Sequence, residues 1–406
     1  MRIPNLAEIQ KVAIITKEKD VIYIDSSTIE KINITEDIDS MGAIGEIIFF
    51  DKDNINESTP ILGGEKLEIT IIDSLKNIRN YSFIINQKPK IDIQDKTFYF
   101  HIHLSIIEED YFNLLTKSYD EGIISYTDSV TDLIYKIFTK SLSTNTKKDK
   151  KLISKKIDVN IPLNLSFPIY FTLEECINYL IKYLATKNTN GYYFYKNRKI
   201  NKYNLLSVSD LINNEINEYF NVDKFEDFNY ILKLDIYNSL NVLDSINSSL
   251  IHTNSITADN KNIIINEINI DDYVKKHNLK STQISEELKI LANNNNTYLY
   301  TPIIFTGSKN SNTVSYENDI MYNIFTSGVC KAKIDGRFTL NIGDKINLDL
   351  KTPESVQDAK FYSGEWIIMK IDNEFQADGT YYQTLYLVKY NSLNKKKNPR
   401  IIGSLI

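Results

Sequence analysis

The chain is short of the residues that chemistry most often uses. Its 406 residues include four histidines, two cysteines and one tryptophan. Cys176 and Cys330 lie far apart and follow no metal or redox spacing, so both read as reduced, buried thiols. Neither a G-x-x-x-x-G-K-[ST] phosphate loop nor a G-x-G-x-x-G fingerprint is present. With a formal charge of -6 there is no basic excess to mark a nucleic-acid binder. No apolar run is long enough for a membrane helix, which takes about 18 residues. Met1 to Gln10 holds no apolar signal core, so a soluble chain made in a cytoplasm is expected.

The remaining candidates for chemistry are few. His101 and His103 fall on one face of an expected strand. They could share one metal as two ligands, or simply face polar surroundings, and no further ligand is near in sequence. His252 and His277 stand alone and read as surface residues. Glu108-Glu109-Asp110 could offer the two carboxylates of a glycosidase. The same acids are expected where a strand gives way to a helix N-terminus. Asp271-Asp272 and Glu286-Glu287 read as solvated faces, and the lysine runs 147–151 and 395–397 as a loop and a tail. No catalytic, cofactor-binding or metal-binding residue is assigned, and no enzyme activity is expected.

What the sequence does have is strands. Residues 1–110 carry apolar runs at ~10–12-residue spacing with polar turns, including 12–15, 21–24, 29–34, 44–50, 66–72, 81–85 and 98–107. Helical patterns follow. The segment 127–140 sets Leu133, Ile134, Ile137 and Phe138 on one face. Thr172 and Glu175 form a capping box ahead of the stripe Cys176, Ile177, Leu180, Ile181 and Leu184. Residues 191–212 read as strand, turn, strand and short helix. Strands return over ~228–270, and helices are expected over 284–292 and 316–326. The last stretch reads as four strands: Phe338, Leu340 and Ile342 in one, Ile346, Leu348 and Leu350 in the next, then 366–372 and 382–388. The pair Asp378-Gly379 marks a tight turn before the last strand. Gly63-Gly64-Glu65-Lys66-Leu67 and Ile342-Gly343-Asp344-Lys345-Ile346 open two strands in the same way. This similarity points to one module used twice. An aromatic set of 27 Tyr and 18 Phe suits wet interfaces more than a catalytic core.

Gly336, Ile342, Gly343, Asp344, Ile346 and Leu348, then Ser363, Gly364, Trp366, Ile368, Ile371 and Phe375, then Tyr382, Thr384, Leu385, Leu387 and Lys389 form a pattern. It resembles the C-terminal barrel of phage baseplate hub proteins. A second stretch fits in the expected order: Pro168, Cys176, Ile177, Leu180, Tyr192, Phe194, Asn197, Tyr203, Leu205, Ser207, Val208 and Leu211. The resemblance implies an α+β, mainly β chain: two tail-tube-like antiparallel β-barrels with a mixed α/β domain inserted between and through the second. The expected division is 1–110 for the first barrel, 228–272 with 312–391 for the second, 111–227 with 273–311 for the mixed domain, and 392–406 for a tail. By the same resemblance the chain is a homotrimer in a contractile-tail baseplate, in the virion, where its ring adapts a sixfold tube to a threefold spike. The implied partners are a tail tube or tube-initiator protein, a central spike protein, baseplate wedge or inner ring proteins and a tape measure protein. DNA passes the channel without specific binding. Two alternatives stand beside this: a tail-associated peptidoglycan hydrolase, and a spike-type component of a phage-like contractile injection system.

Overall fold

A computed structural model describes residues 5–93, 100–118, 130–141, 167, 170–182, 184, 191–222, 228–238, 252–258, 263–269, 304–306, 318, 322, 325, 328–352, 355–358 and 363–389. The chain opens with β1 (Ala7–Ile15), β2 (Val21–Tyr23), β3 (Ile29–Asp37), β4 (Ile44–Phe50), a single helical turn α1 (Ile55–Ser58), β5 (Lys66–Asp73), β6 (Ile78–Ile85), β7 (Lys90–Ile93) and β8 (Phe100–Glu108). Next come α2 (Glu109–Thr116), α3 (Val130–Ser141), α4 (Leu173–Lys182), the hairpin β9 (Tyr192–Asn197) and β10 (Lys202–Ser207), and α5 (Val208–Asn213). The remainder is β11 (Ile216–Asn221), β12 (Ile231–Asn238), β13 (His252–Ala258), β14 (Ile263–Asn269), β15 (Ile304–Thr306), β16 (Gly328–Asp335), β17 (Lys345–Asp349), β18 (Lys351–Thr352), β19 (Ser355–Asp358), β20 (Gly364–Gln376) and β21 (Tyr381–Lys389).

The fold is mainly β, as expected. One large sheet runs β12-β16-β21-β20-β3-β4-β8-β6-β5-β1-β2, with β17 joining β20 to β11 off this path. Within it one strand order occurs twice. The first set reads β3-β4-β8-β6-β5-β1, the second β12-β16-β21-β20-β17-β11, and the strands follow one another along the chain in the same sequence. Every neighbour pair is antiparallel in both sets except the last, where β1 lies antiparallel to β5 and β11 parallel to β17. The two glycine turns fall at matching places. Gly64 N–H donates to Ile85 O (2.7 Å) and Ile85 N–H to Glu65 O (2.9 Å). Gly343 N–H donates to Ile368 O (2.7 Å) and Ile368 N–H to Asp344 O (2.9 Å). Lys66 and Lys345 then open β5 and β17. The register that pairs Leu67 with Phe83 pairs Ile346 with Trp366.

Alternation along these strands builds the cores. In β5, Leu67, Ile69 and Ile71 are buried, and in β6 Tyr81, Phe83 and Ile85 face them. In the second set Cys330, Ala332, Ile334, Ile371, Leu385 and Leu387 meet Val208 and Leu211 of α5 and Tyr193 and Tyr195 of β9. A third core packs Leu133, Ile137 and Phe138 of α3 against Cys176, Ile177 and Leu180 of α4 and Phe194 of β9. The predicted capping box starts α4: Glu175 N–H donates to Thr172 Oγ1 (3.2 Å), and Thr172 N–H to the Glu175 carboxylate (2.7 Å). Strand β20 joins the two sets. Its first half pairs with β17, and Lys370–Gln376 pairs with Asp37–Lys31 of β3.

Three sequence expectations meet a different outcome. Phe338, Leu340 and Ile342 are buried as alternation predicts, but residues 336–344 form turns and no strand. Side chains take the backbone groups that a ladder would use: Phe338 O and Leu340 O accept from Arg79, and Phe338 N–H donates to Asp73. Strand β16 supplies the missing fourth strand. The strands at 252–258 and 263–269 pair with each other and with β15, and among the described residues neither joins the large sheet. In β20, Trp366 to Met369 are all buried, because the register with β21 shifts between Ile368 and Lys370 and breaks strict alternation. The expected helix over 284–292 lies outside the described residues. Of 316–326, the described residues Asn318, Tyr322 and Phe325 are helical.

Candidate functional site

A buried ionic cluster lies where the two strand sets and the β9–β10 hairpin meet. Glu36 and Glu108 hang from β3 and the end of β8, Arg79 from β6, and Lys196 and Arg198 from the hairpin. Arg198 reaches Glu108 at 2.6 Å, and its Nε stands 3.0 Å from Glu36 as an ion pair rather than an aligned hydrogen bond. Lys196 Nζ lies 2.6 Å from Glu108 and 3.4 Å from Asp110. Arg79 binds Glu36 at 3.1 Å and donates through Nη2 to Phe338 O, Leu340 O and Asn341 Oδ1 at 2.9–3.0 Å. Burial disfavours an ionised Glu108, but Arg198 and Lys196 together outweigh it and hold the carboxyl well below its usual range. Burial also opposes a charged Arg198, and Glu108 and Glu36 more than reverse this. Every charge is matched by geometry that only the assembled junction supplies, so the cluster fixes the first set, the hairpin and the 336–344 turn against one another.

Two further polar knots brace the second set. Arg337, 1% exposed, donates to Glu218, Asn229 Oδ1 and Phe228 O, and so ties the turn to β11 and the segment after it. At the seam, Asn373 donates to Ile34 O (3.1 Å) and accepts from Tyr381 Oη (2.8 Å) and Gln383 Nε2 (2.9 Å). Beside the Gly343 turn a cleft of about 280 Å³ is lined by Tyr195, Asn204, Asn214, Asn217 and Asp344. Burial pushes Asp344 up to about 6 there, against the hydrogen bond from Asn341 N–H.

The sequence candidates for chemistry are dispersed among these features. Buried His101 meets the Phe50 ring in a tilted contact and pairs with Glu30 at 3.1 Å. His103 sits between Glu46 and Asp92, 3.3 Å from each. Among the described residues no group of three or more His, Cys, Asp or Glu is arranged to hold a metal ion. Glu108 belongs to the ionic cluster, Glu109 accepts from Ser82 (2.7 Å), and Asp110 meets Lys196. They do not face one another across an open groove as a glycosidase pair would. Cys176 and Cys330 are free and buried. His277, Asp271-Asp272, Glu286-Glu287 and both lysine runs lie outside the described residues, and His252 is described only as part of β13. Sequence reading passed over Glu36, Arg79 and Arg337. A signal existed for the first two: each is in phase with buried apolar neighbours, Ile32 and Ile34 for Glu36, Tyr81 and Phe83 for Arg79.

The opposite face of the large sheet is polar over the second set and the seam, whereas over the first set it also carries Ile44, Ile48, Ile72, Ile78, Ile84 and Ile107. The register places Lys331, Lys333, Tyr382, Thr384 and Tyr386 beside Lys370, Asp372 and Glu374, and these beside Lys31 and Thr35. Glu374 holds Lys31 at 3.1 Å and Lys333 at 3.7 Å, while Asp372 lies 3.8 Å from Lys370 and accepts from Thr35 Oγ1. Lys331 and Lys370 flank the Tyr386 ring at 5.0 Å, and Lys333 lies 4.4 Å from that of Tyr382. Farther out, Lys233 pairs with Asp235, Lys90 with Asp92, and Lys11 and Lys66 with Glu68.

No protein-family model matches the chain, and no curated protein matches it by sequence. Solved structures do. A tail protein from Neisseria meningitidis aligns over 94% of this chain and 96% of its own, with 9% identity and a TM-score of 0.59. The 43 kDa tail protein of prophage MuSo2 from Shewanella oneidensis aligns over 95% and 100%, with 10% identity and a TM-score of 0.57. A chain of the Francisella PdpA-VgrG complex aligns over 98% of this chain and 60% of its own, with 11% identity and a TM-score of 0.50. The likeness shows the fold: this chain has the architecture of phage tail proteins, and it extends to a chain of a VgrG complex.

Proposed function

We propose that the chain is a structural hub subunit of a contractile-tail baseplate, located in the phage tail. Three copies form a ring, each giving two modules, so that six similar modules meet a sixfold tail tube or tube initiator while the ring as a whole keeps threefold symmetry for a central spike. The first module is assigned to 1–110. The second is assigned to β11, β12 and 312–391, with the α/β elements inserted between. The observation that carries this reading is the strand order repeated within one chain. A trimer can meet six equal docking edges only if each chain offers one shape twice. The single departure, antiparallel β1 against parallel β11, supports a ring whose modules alternate in kind. Wedge or inner ring proteins and a tape measure protein are the further partners of this reading, and DNA passes through the opening. The role is geometric, and no catalytic step is assigned.

Light scattering at micromolar concentration, with and without a spike partner, should reveal a threefold species. Electron microscopy should show a ring of six lobes with a central opening. A clean monomer under both conditions would overturn the proposal.

A further inference from the structure

The acids of the ionic cluster and of the Arg337 knot have cations of their own chain: Glu36 and Glu108 have Arg79, Arg198 and Lys196, and Glu218 has Arg337. Asp344, in the cleft beside the Gly343 turn, has no cation at ion-pair distance among the described residues. Lys345 turns instead to Ile212 O (2.8 Å) and Glu365 (2.9 Å), and the exposed Lys199 acts on Asp344 only from a distance. The hydrogen bonds from Asn341 N–H (3.0 Å) and Asn217 Nδ2 (3.2 Å) come from neutral donors, and both end on Asp344 Oδ2. At the matching first turn Glu65 spends both oxygens, on Leu62 N–H and Gly63 N–H. Asp344 thus keeps an oxygen that its own turn does not use.

The neighbouring side chains follow the same pattern. Asn214 Nδ2 donates to Gly343 O and Asn217 Nδ2 also to Thr339 O, both at 3.3 Å. Their donors are spent on the turn, and their Oδ1 atoms are what they offer to the cleft. Glu215 adds an exposed carboxylate. A cleft of about 280 Å³ lined this way suits a ligand that is cationic and rich in donors. The chain shows twice what such a set of acceptors holds. Arg79 takes Glu36, two backbone carbonyls and Asn341 Oδ1, and Arg337 takes Glu218, Phe228 O and Asn229 Oδ1. A guanidinium needs acceptors spread around a planar fork, whereas an ammonium is a compact point charge. A second feature adjoins the cleft. Strand β11 begins there and pairs with β17 along one side, while along 216–220 its other side carries no strand among the described residues. Tyr219 on this strand is 62% exposed. An open edge can take up the main chain of an extended segment while one of its side chains enters a pocket.

We infer that this cleft is a docking site for an arginine on an extended segment of a partner protein, with Asp344 as its counter-charge, Asn214 and Asn217 as acceptors and the open edge of β11 as the support for the segment's main chain. That the partner belongs to a baseplate rests on the hub reading above, while recognition of arginine is a property of the single chain. Burial without a matched cation is what pushes Asp344 up to about 6, and an arriving guanidinium supplies that cation. The other charged or titratable groups around Asp344 are Tyr195, Lys199, Glu215 and Lys345, with Arg79 farther off and held by Glu36. Acid therefore weakens the site chiefly by protonating Asp344.

The test titrates the full chain by calorimetry with a capped pentapeptide, acetyl-TVRVT-amide, and with three controls. Two are the same peptide with citrulline or lysine in place of arginine, and the third is N-acetylarginine methylamide. The arginine peptide should bind at least ~10-fold more tightly than the citrulline peptide, and D344N should lose at least ~10-fold toward the arginine peptide, as expected for a charged hydrogen bond. From pH 7.5 to pH 5 the wild-type affinity should fall about 10-fold, because most of the Asp344 carboxyl is then protonated, while D344N should show no such fall. The lysine peptide should bind more weakly than the arginine one. An unfolding midpoint for D344N no lower than that of wild type shows that the variant is folded. No binding by wild type, equal affinity for the citrulline or lysine peptide, or full affinity in D344N would overturn the inference. N-acetylarginine methylamide binding as tightly as the pentapeptide would assign the cleft to a small guanidine and overturn the docking of a segment. None of these results needs a ring to form. A chain that binds the peptide as predicted but stays monomeric in light scattering keeps the site and sinks only the hub reading.

Discussion

At the scale of single residues, buried charge dominates. Glu108 is 3% exposed, accepts from Ala43 N–H at 2.9 Å and neutralises two cations. Glu108→Gln leaves Arg198 and Lys196 short of a counter-charge, and should cost about 3–5 kcal/mol in urea unfolding at neutral pH. The folded carboxyl titrates below its ordinary 4.5, so its stabilisation is present above that pH and is lost as pH falls toward the folded value. Wild type should therefore weaken in acid more than the variant does, and the gap between them should narrow. Trp366 is 2% exposed, lies in the core of the second set and has Lys389 Nζ 5.5 Å from its ring. Trp366→Ala should cost about 3–5 kcal/mol. A loss below ~1 kcal/mol would mean that the ring contributes no more than a surface residue.

At the scale of elements, the turn that opens β17 repays comparison with the one that opens β5. Both use glycine at positive φ, +91° at Gly64 and +81° at Gly343, and both bracket the turn with an acid three residues on: Leu62 N–H to Glu65, Asn341 N–H to Asp344. They differ in surroundings. A Cβ on Gly343 would stand 2.2 Å from Tyr195 Oη, whereas Gly64 has nothing nearer than 3.8 Å, so only the second turn is locked by the inserted hairpin. That enclosure also buries Asp344 and raises it to about 6 from 3.8. For an acid raised on folding, the penalty is absent below the unfolded value and complete above the folded one. Asp344→Asn keeps an oxygen acceptor and removes the charge. Relative to wild type it should gain about 1–3 kcal/mol at pH 8 over its standing at pH 3.5. Urea midpoints at the two pH values check this, and an equal effect at both would show that Asp344 is solvated.

At the scale of the whole molecule, the seam and the ionic cluster bind the two sets into one unit. β20 belongs to both, Asn373 bonds across the seam to Ile34, and Arg79 of the first set holds carbonyls of the second. The sets should unfold together. Fluorescence of the one tryptophan reports the second set, and amide exchange along β5 and β6 reports the first. Their urea midpoints should coincide in wild type and separate in Arg79→Ala, which removes the tie but neither core. Two transitions in wild type would show that the seam does not couple them.

Much of this was legible in the sequence because it is local. Alternation marks strands β1, β3, β4, β5, β6 and β8, a Thr–Glu pair marks the start of α4, and a glycine followed by an acid and a lysine marks both matching turns. Each depends only on neighbours within a few positions, where backbone geometry and side-chain period act directly. What the alternation of Phe338, Leu340 and Ile342 could not reveal is that a guanidinium some 260 positions earlier takes the carbonyls of Phe338 and Leu340, where a strand was expected and a turn forms. Nor could it say that β20 serves two neighbours, that β11 runs parallel where β1 does not, or that Glu374 is shared between lysines of β3 and β16. Those facts are pairings across the chain. They were decided only when the strands met, because hydrogen bonds and charges act over a few ångströms in space whatever the separation in sequence.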